Sequence, residues 1–589
     1  MASRIPRTDT PFVLLDDARV TGAATVRLYV DPVEIVVTRR MDEVATALEA
    51  LRTATRGGLH AAGYLAYEAG HALEPKLTPL VAEVADAPLM WFGLFRDVEE
   101  IASDDVAAML PAPEGAWVGA PTPAISRADY DAAIAQVQAF ITAGDIYQAN
   151  LTFGATVQAA GHPLAMYAGL RARARAGYGG VVHTGRDWIL SLSPELFFAC
   201  DGAKVWTRPM KGTTVRCADP DDDRAAAESL TTDPKQRAEN LMIVDLLRND
   251  LSRIATPGSV AVPELFRVET YPTVHTMTST VTGDLIPGHD AIDIIRAIYP
   301  CGSITGAPKI RAMEAIAEIE SGPRGVYTGS IGRIDAGGVS AAFNVAIRTL
   351  HLEGDVARIG LGSGVVADSN ARDEWAECLA KGAFIASPRQ FDLIETMVFD
   401  PVHGIARLER HLVRLKASAA ALGFTFDRHA ARNELQAATF HLRARCKVRV
   451  LLGRSGAMAI ETRPLPAAPT EDVNVALAAL PVDADDFRLR HKTTDRRFYD
   501  AARRGIFEIL FMHPDGHLTE GSFTNVFVSD GEMLLTPPLS RGLLGGILRE
   551  ELIETGRARE GDLRADDLAR GFFIGNSVRG LLPAKLVAL

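Results

Sequence analysis

Cysteine is scarce: five in 589 residues, scattered at 200, 217, 301, 378 and 446 with no CxxC pair. That excludes a disulfide scaffold and a structural zinc ribbon, and it fits a reducing cytoplasm. No run of about 18 apolar residues occurs, so no membrane span is expected. The arginines among the first ten residues are not followed by an apolar stretch of signal-peptide length. Basic charge is not in excess: the net charge of -12 argues against a nucleic-acid partner. A glycine-lysine-serine/threonine phosphate loop is missing, as are an internal repeat and a cysteine in a glycine-x-cysteine-x-glycine elbow. The last absence excludes a built-in glutamine hydrolase.

What remains is a chain too long for one hydrophobic core. Its 47% hydrophobic and 23% charged residues are ordinary for a globular enzyme. Residues 1 to about 100 read as β-rich, with aromatic strand candidates at Gly63–Gly70 and Trp91–Phe95. Leu110 to Ala124 carries four prolines and two glycines and reads as a loop. Ser126 with Asp129 forms a serine-x-x-aspartate cap for a helix ending near Gly144. Asp219 to Asp223 reads as a solvated acidic loop. Helices are expected at 234–251, 291–295, 308–319 and 372–384, and strands at 181–192, 325–335, 341–352 and 357–366. Ser387-Pro388 then interrupts and a new pattern begins. The fold class is α+β: a large layered α/β domain, 1–387 with 1–120 its looser part, then a smaller α+β domain, 388–589.

Chemistry concentrates in several stretches of the large domain. Lys211 lies in Arg208-Pro209-Met210-Lys211-Gly212-Thr213, at a strand end bent by Gly212. Glu239 shares a helix face with Met242, Ile243 and Leu246, where a carboxylate needs a cation or a donor. Glu374, Glu377 and Lys381 form one stripe of another helix. The plain reading of Glu377 and Lys381 is a surface pair. Carboxylates from two helices also suit Mg²⁺, with water and substrate oxygens completing the octahedron. Cys301 to Lys309 is a glycine-rich loop entering a helix, an anion seat, and Gly360 to Gly364 is a second glycine loop.

These motifs, with Gly144 to Gln148, Ala238 to Asp250, Asn344 to Thr349 and Gly362 to Lys381, resemble the chorismate-utilising enzymes. That family includes the anthranilate synthase large subunit, aminodeoxychorismate synthase component I, isochorismate synthase and salicylate synthase. The resemblance implies an anthranilate synthase component I-like fold and a Mg²⁺ ion held by Glu239 and Glu377, with Glu374 nearby. It also implies substrate contacts from Thr305, Tyr327, Arg348, Gly362, Gly364 and Lys381; a guanidinium fork suits a carboxylate. Two positions discriminate among members. Water-adding members carry a lysine where this chain has Gln148, and an amide cannot act as that base. Anthranilate synthases carry alanine where this chain has Lys211. The lysine resembles that of aminodeoxychorismate synthases, a nucleophile that adds at C2 of chorismate before ammonia adds at C4. An unperturbed lysine is neutral in only about one molecule in a thousand near neutral pH, so burial must lower its pKa. The family often has a histidine in the segment Tyr271 to Met277; here Thr276 falls there and His275 one residue early. His275 is the candidate C4 proton donor. Ammonia would come free or from a separate glutamine amidotransferase subunit.

In the small domain, Arg407 to Ser418 reads as a basic amphipathic helix, Asp515 to Phe527 as strand, turn, strand around Glu520, and Leu543 to Arg549 as a glycine turn into a helix. In this order they resemble fold-type IV pyridoxal-phosphate enzymes: branched-chain and D-amino-acid aminotransferases and aminodeoxychorismate lyase. The resemblance implies Lys492 as the Schiff-base lysine and Glu520 against the pyridine nitrogen. Arg414, Gly546, Ile547, Asn576 and Ser577 would hold the phosphate, and Thr396 would lie near the reacting carbon. The resemblance starts late, without the family's usual first strands, which dimerisation or packing on the large domain would offset. The joint expectation is a cytoplasmic two-step enzyme making 4-aminobenzoate, a folate precursor, from chorismate and ammonia. Alternatives are an ordinary C-terminal transaminase, a non-catalytic C-terminal scaffold, or an N-terminal anthranilate synthase.

Overall fold

A computed structural model describes residues 5–6, 10–80, 87–271, 274–354, 356–503 and 505–588. Two residues of the 271–277 segment, 272 and 273, lie outside this set. The chain forms two compact units.

The first comprises residues 1–110, 120–157 and 167–386. It holds two ten-stranded antiparallel sheets. Where they face each other, Val13, Tyr29, Val182 and Ile189 of one meet Tyr64, Trp91 and Ile331 of the other. The helices Pro234–Ser252 and Ala291–Ile298 cover the second sheet through Ile243, Leu247 and Ile295, packed near Phe92, Phe198 and Phe343. Each such fully buried side chain contributes roughly 1.5–3 kcal/mol.

Local chemistry explains the element ends. Ser126 Oγ accepts from the Asp129 N–H to start the helix Arg127–Ala143, and Gly144 at φ +82° ends it. The acidic run expected as a loop is instead a helix start. Asp219 caps Pro220–Thr232, and a capping carboxylate followed by proline is a strong helix signal. Gly63–Gly70 is not one strand: the strand His60–Leu65 gives way to a helical turn at Ala69–Ala72. The stretch 341–352 is likewise two strands in different sheets, Ser340–Asn344 and Thr349–Glu353. Arg348 sits at the crossover with φ +51°, a conformation bulky residues adopt only under constraint.

The second unit comprises residues 111–119, 158–166 and 387–589. The proline-rich stretch expected as a loop thus contributes to this unit, pairing Trp117–Val118 with Ala159–Ala160. Trp117 is buried beside Phe391, Leu393, Phe424 and Phe487, with the Arg454 guanidinium 4.9 Å from its ring. A four-stranded sheet includes Leu393–Asp400, Cys446–Leu452 and Met458–Pro464. One face packs Met397, Phe399, Val448 and Val450 against the helices Leu408–Ala421 and Arg428–Thr439. The alternate residues point the other way. An eight-stranded mixed sheet, from Leu518–Gly521 to Ala558–Glu560, completes the unit. No described helix is long and apolar enough to cross a membrane.

Candidate active sites

In the first unit Lys211 is the second residue of the strand Met210–Val215. Gly212 at φ +87° shifts the strand register there, so the lysine leaves the regular ladder. A Cβ placed on Gly364 would fall 2.9 Å from Lys211 Nζ and 3.1 Å from Gln148 Nε2. Only glycine leaves room for those two groups side by side. Gln148 Nε2 is buried with no partner among the described residues, a donor without an acceptor. Burial pushes the Lys211 ammonium below its usual pKa, helped by Lys381 and opposed by Glu239, Glu195 and Glu377.

Glu195 was not singled out from sequence. It is fully buried, accepts a 2.6 Å hydrogen bond from Ser303 Oγ, and burial pushes its carboxyl up to about 7 despite Ser303 and Lys211. Such a group can hold a proton at neutral pH. The only sequence hint was an acid between Pro194 and the apolar run Leu196-Phe197-Phe198.

Both ring nitrogens of His275 are engaged by other side chains. It lies on the opposite strand face from Thr276, because neighbouring strand residues alternate. Its Nε2 is 3.0 Å from Asp223, and Nδ1 is 2.9 Å from Thr270 Oγ1. Thr276 donates to the Gly212 carbonyl at 3.1 Å, beside Lys211. Thr305 is buried with its hydroxyl bonded to the Cys301 and Gly302 carbonyls. Lys309 of the same loop bonds to Asp250 and the Ile298 and Pro300 carbonyls. The Thr305 hydroxyl and the Lys309 ammonium are therefore already engaged by protein partners.

Burial raises the Glu239 pKa, Lys211 and Lys235 oppose the rise, and Glu377 and Glu374 add to it. Glu377 pairs with Lys381 at 2.6 Å, and this outweighs burial and lowers its pKa. Lys381 Nζ also donates to the Gly362 carbonyl at 3.1 Å, and Ser369 Oγ donates to Glu374 at 2.7 Å. No three His, Cys, Asp or Glu side chains form a ready-made metal cage among the described residues. The Arg348 side chain is half-buried, 5.8 Å from the Phe384 ring, and has no carboxylate partner among the described residues. Tyr327 packs its ring against Gly360 so closely that a Cβ there would fall 2.0 Å from it.

In the second unit a cavity of about 430 Å³ gathers Thr396, Arg414, Lys492, Glu520, Gly546, Ile547, Asn576 and Ser577. Lys492 Nζ donates to Thr396 Oγ1 at 3.2 Å, and burial brings its pKa down to about 7. Burial pushes Glu520 up to about 8 although Tyr499, absent from the sequence reading, donates to it at 2.6 Å. Arg414 is braced by Glu395, which also binds buried His411 Nδ1 at 2.6 Å. Gly546 caps the helix Ile547–Glu554, and a Cβ there would fall 1.9 Å from Asn525 Oδ1. Bare backbone at a helix start is a phosphate cradle. Asn576 accepts from the Val578 and Arg579 N–H groups and Ser577 donates to the Thr396 carbonyl. A half-buried lysine, a buried acid and a cationic cradle in one cavity fit pyridoxal phosphate.

Comparison with known proteins agrees in order and extent. Residues 11–387 match the chorismate binding enzyme family and residues 392–587 the class IV amino-transferases. Aminodeoxychorismate synthase component 1 of Klebsiella aerogenes is 38% identical over 346 residues, 54% of this chain and 75% of that one. Its Escherichia coli (strain K12) namesake is 42% identical over 257 residues, 44% of this chain and 56% of its own length. The chain thus spans little more than half of some curated relatives. The crystal structure of anthranilate synthase component I from Streptococcus pneumoniae TIGR4 superposes with TM-score 0.54 at 26% identity, covering 62% of this chain and 93% of that one. The chain therefore belongs to the chorismate-binding enzyme family, and a class IV amino-transferase domain follows its chorismate-binding domain.

Proposed function

We propose that the chain converts chorismate and ammonia to 4-aminobenzoate in two steps, one in each unit. The observation that carries this reading is Lys211 beside Gln148 over Gly364: a lowered-pKa amine where chorismate would react, next to an amide that cannot activate water. Neutral Lys211 attacks C2 while Glu195, poised near neutrality, protonates the departing C4 hydroxyl. Ammonia then adds at C4 and expels the lysine, giving 4-amino-4-deoxychorismate. Arg348, a half-buried cation without a carboxylate partner among the described residues, would take one substrate carboxylate. Glu239 and Glu377, whose charges repel, would hold Mg²⁺, which neutralises the other carboxylate. A separate glutaminase subunit would supply the ammonia.

In the second unit pyridoxal phosphate, when bound, supplies the electron sink for loss of the C4 proton and elimination of pyruvate. Lys492 would anchor it and carry that proton. Glu520 would keep the ring nitrogen protonated, and Arg414 with the Gly546–Ile547 turn would hold the phosphate. Thr396, hydrogen-bonded to Lys492, would orient the amine.

The test supplies the full chain with chorismate, Mg²⁺, an ammonium salt and pyridoxal phosphate. Equimolar 4-aminobenzoate and pyruvate are expected. Anthranilate as the product, or no aromatic amine, would overturn the reading.

A further inference from the structure

Glu195 lies in the passage between the strands Asp187–Ser193 and Leu196–Asp201. Its main chain is held on both sides. The N–H donates to Ser193 Oγ at 3.2 Å, and the carbonyl accepts from the Val345 N–H at 3.1 Å. Backbone position is therefore set without the side chain. The carboxyl is buried and needs a partner of its own.

That partner comes from a loop 108 positions away: Ser303 Oγ donates to Glu195 Oε1 at 2.6 Å. Ser303 is 4% exposed and sits in the tight turn Gly302–Ile304. The turn does not depend on its hydroxyl, because Thr305 Oγ1 closes it onto the Cys301 and Gly302 carbonyls. On the far side of Ser303, Cys301 Sγ lies 3.2 Å from the same Oγ. Burial, with Glu195 next, pushes the Cys301 thiol up to about 12, so it keeps its hydrogen at neutral pH. A thiol S–H directed at Ser303 leaves the serine hydrogen for the carboxyl, a far better acceptor than sulfur. A carboxyl that accepts at Oε1 carries its proton on Oε2, so the serine decides which oxygen is the acid. When Glu195 gives up that proton the serine bond strengthens, because bonds to an ionised acceptor are roughly twice as strong. Burial opposes the ionised form. The Met210 N–H, Lys211 of the strand Met210–Val215 and Lys381 of the helix Ala371–Ala383 favour it, as Ser303 does.

We propose that Ser303 is a positioning residue for the first step, which fixes the Glu195 carboxyl and turns its proton-bearing oxygen toward the departing hydroxyl of the substrate. This rests on Glu195 as the acid in the reading above and deepens it. In that step the bond from the Lys211 nitrogen to C2 forms, the ring double bonds shift, and the C4–O bond breaks. The Glu195 proton leaves with that oxygen as water. Ser303 touches none of the reacting atoms and acts through Glu195 alone.

The test follows chorismate consumption by the full chain with Mg²⁺ and an excess of an ammonium salt. In the pH profile of kcat/KM, the limb near pH 7 should move up by about one unit in Ser303→Ala, because a lost hydrogen bond to the carboxylate raises the Glu195 pKa. The kcat should fall roughly 10- to 100-fold with KM changed much less. Ser303→Thr keeps the hydroxyl and should hold the limb at its wild-type place. Infrared titration is a second readout that needs no turnover. The protonated-carboxyl band missing from Glu195→Gln should titrate near pH 7 in wild type and about one unit higher in Ser303→Ala. An unmoved limb and an unmoved band in Ser303→Ala would overturn the proposal alone. Full activity in Glu195→Gln would overturn the acid reading and the proposal with it.

Discussion

The two units each hold a half-buried lysine, and they surround it oppositely. Lys211 is opposed by acids: Glu195, Glu239 and Glu377 favour its charged form against burial and Lys381. Lys492 sits among arginines: Arg414, Arg496 and Arg449 add to burial, with Glu395 as the opposing acid, and its pKa falls to about 7. The acidic setting is suited to gathering a cation with its substrate. The basic setting is suited to anions, the cofactor phosphate and substrate carboxylates. Similar burial thus meets opposite neighbouring charges, which suit the two proposed reactions.

The comparison can be broken most sharply at Lys492. In Lys492→Ala, 4-aminobenzoate formation should fall by at least about a hundredfold, and product analysis should show 4-amino-4-deoxychorismate accumulating. Wild-type rates of 4-aminobenzoate formation would remove the lyase assignment. Lys211→Ala should lose the first step by a similar factor of roughly a hundred or more, with anthranilate as the diagnostic side product. An unchanged rate would leave the family intact and remove the nucleophile. Gly364→Ala should cost about 10- to 100-fold in chorismate consumption, because its Cβ meets Lys211 Nζ at 2.9 Å. Conversion of supplied 4-amino-4-deoxychorismate should be untouched.

The smallest effect concerns pH. Glu520 has a folded pKa near 8, well above the usual carboxylate value, so the cofactor-free folded state holds a proton that the unfolded chain releases. Its contribution is full below about pH 4.3, the unfolded value, and is lost as pH rises through 8. Melting curves of the cofactor-free chain should show wild type losing a few °C against Glu520→Gln between about pH 5 and 9. Parallel curves would show that Glu520 is not held neutral.

Local and recurring features were legible in the sequence. Ser126 and Gly144 mark a helix by cap chemistry, and Lys211, Gln148, Lys492 and Glu520 stand in motifs. The missed features depend on distant partners. Glu195 is raised by burial that no local pattern reveals. Tyr499 meets Glu520 across 21 positions. His275 binds Asp223, 52 positions away, as well as Thr270, and no local pattern reveals the distant partner. Asp219 to Asp223 was misread because composition alone does not distinguish a capped helix start from a loop.

Trp117 carries a consequence for the chain's history. The second unit takes its buried tryptophan from a segment about 270 positions before its main run. Cutting the gene once, at codon 388, would therefore not return two self-sufficient proteins. The downstream piece would expose Phe391, Phe424 and Phe487 where Trp117 had covered them, an open aromatic patch that invites aggregation. Two catalysts joined end to end can usually be separated again by one break. Here a clean separation would have to carry residues 111–119 and 158–166 along with the downstream run, which no single break can do.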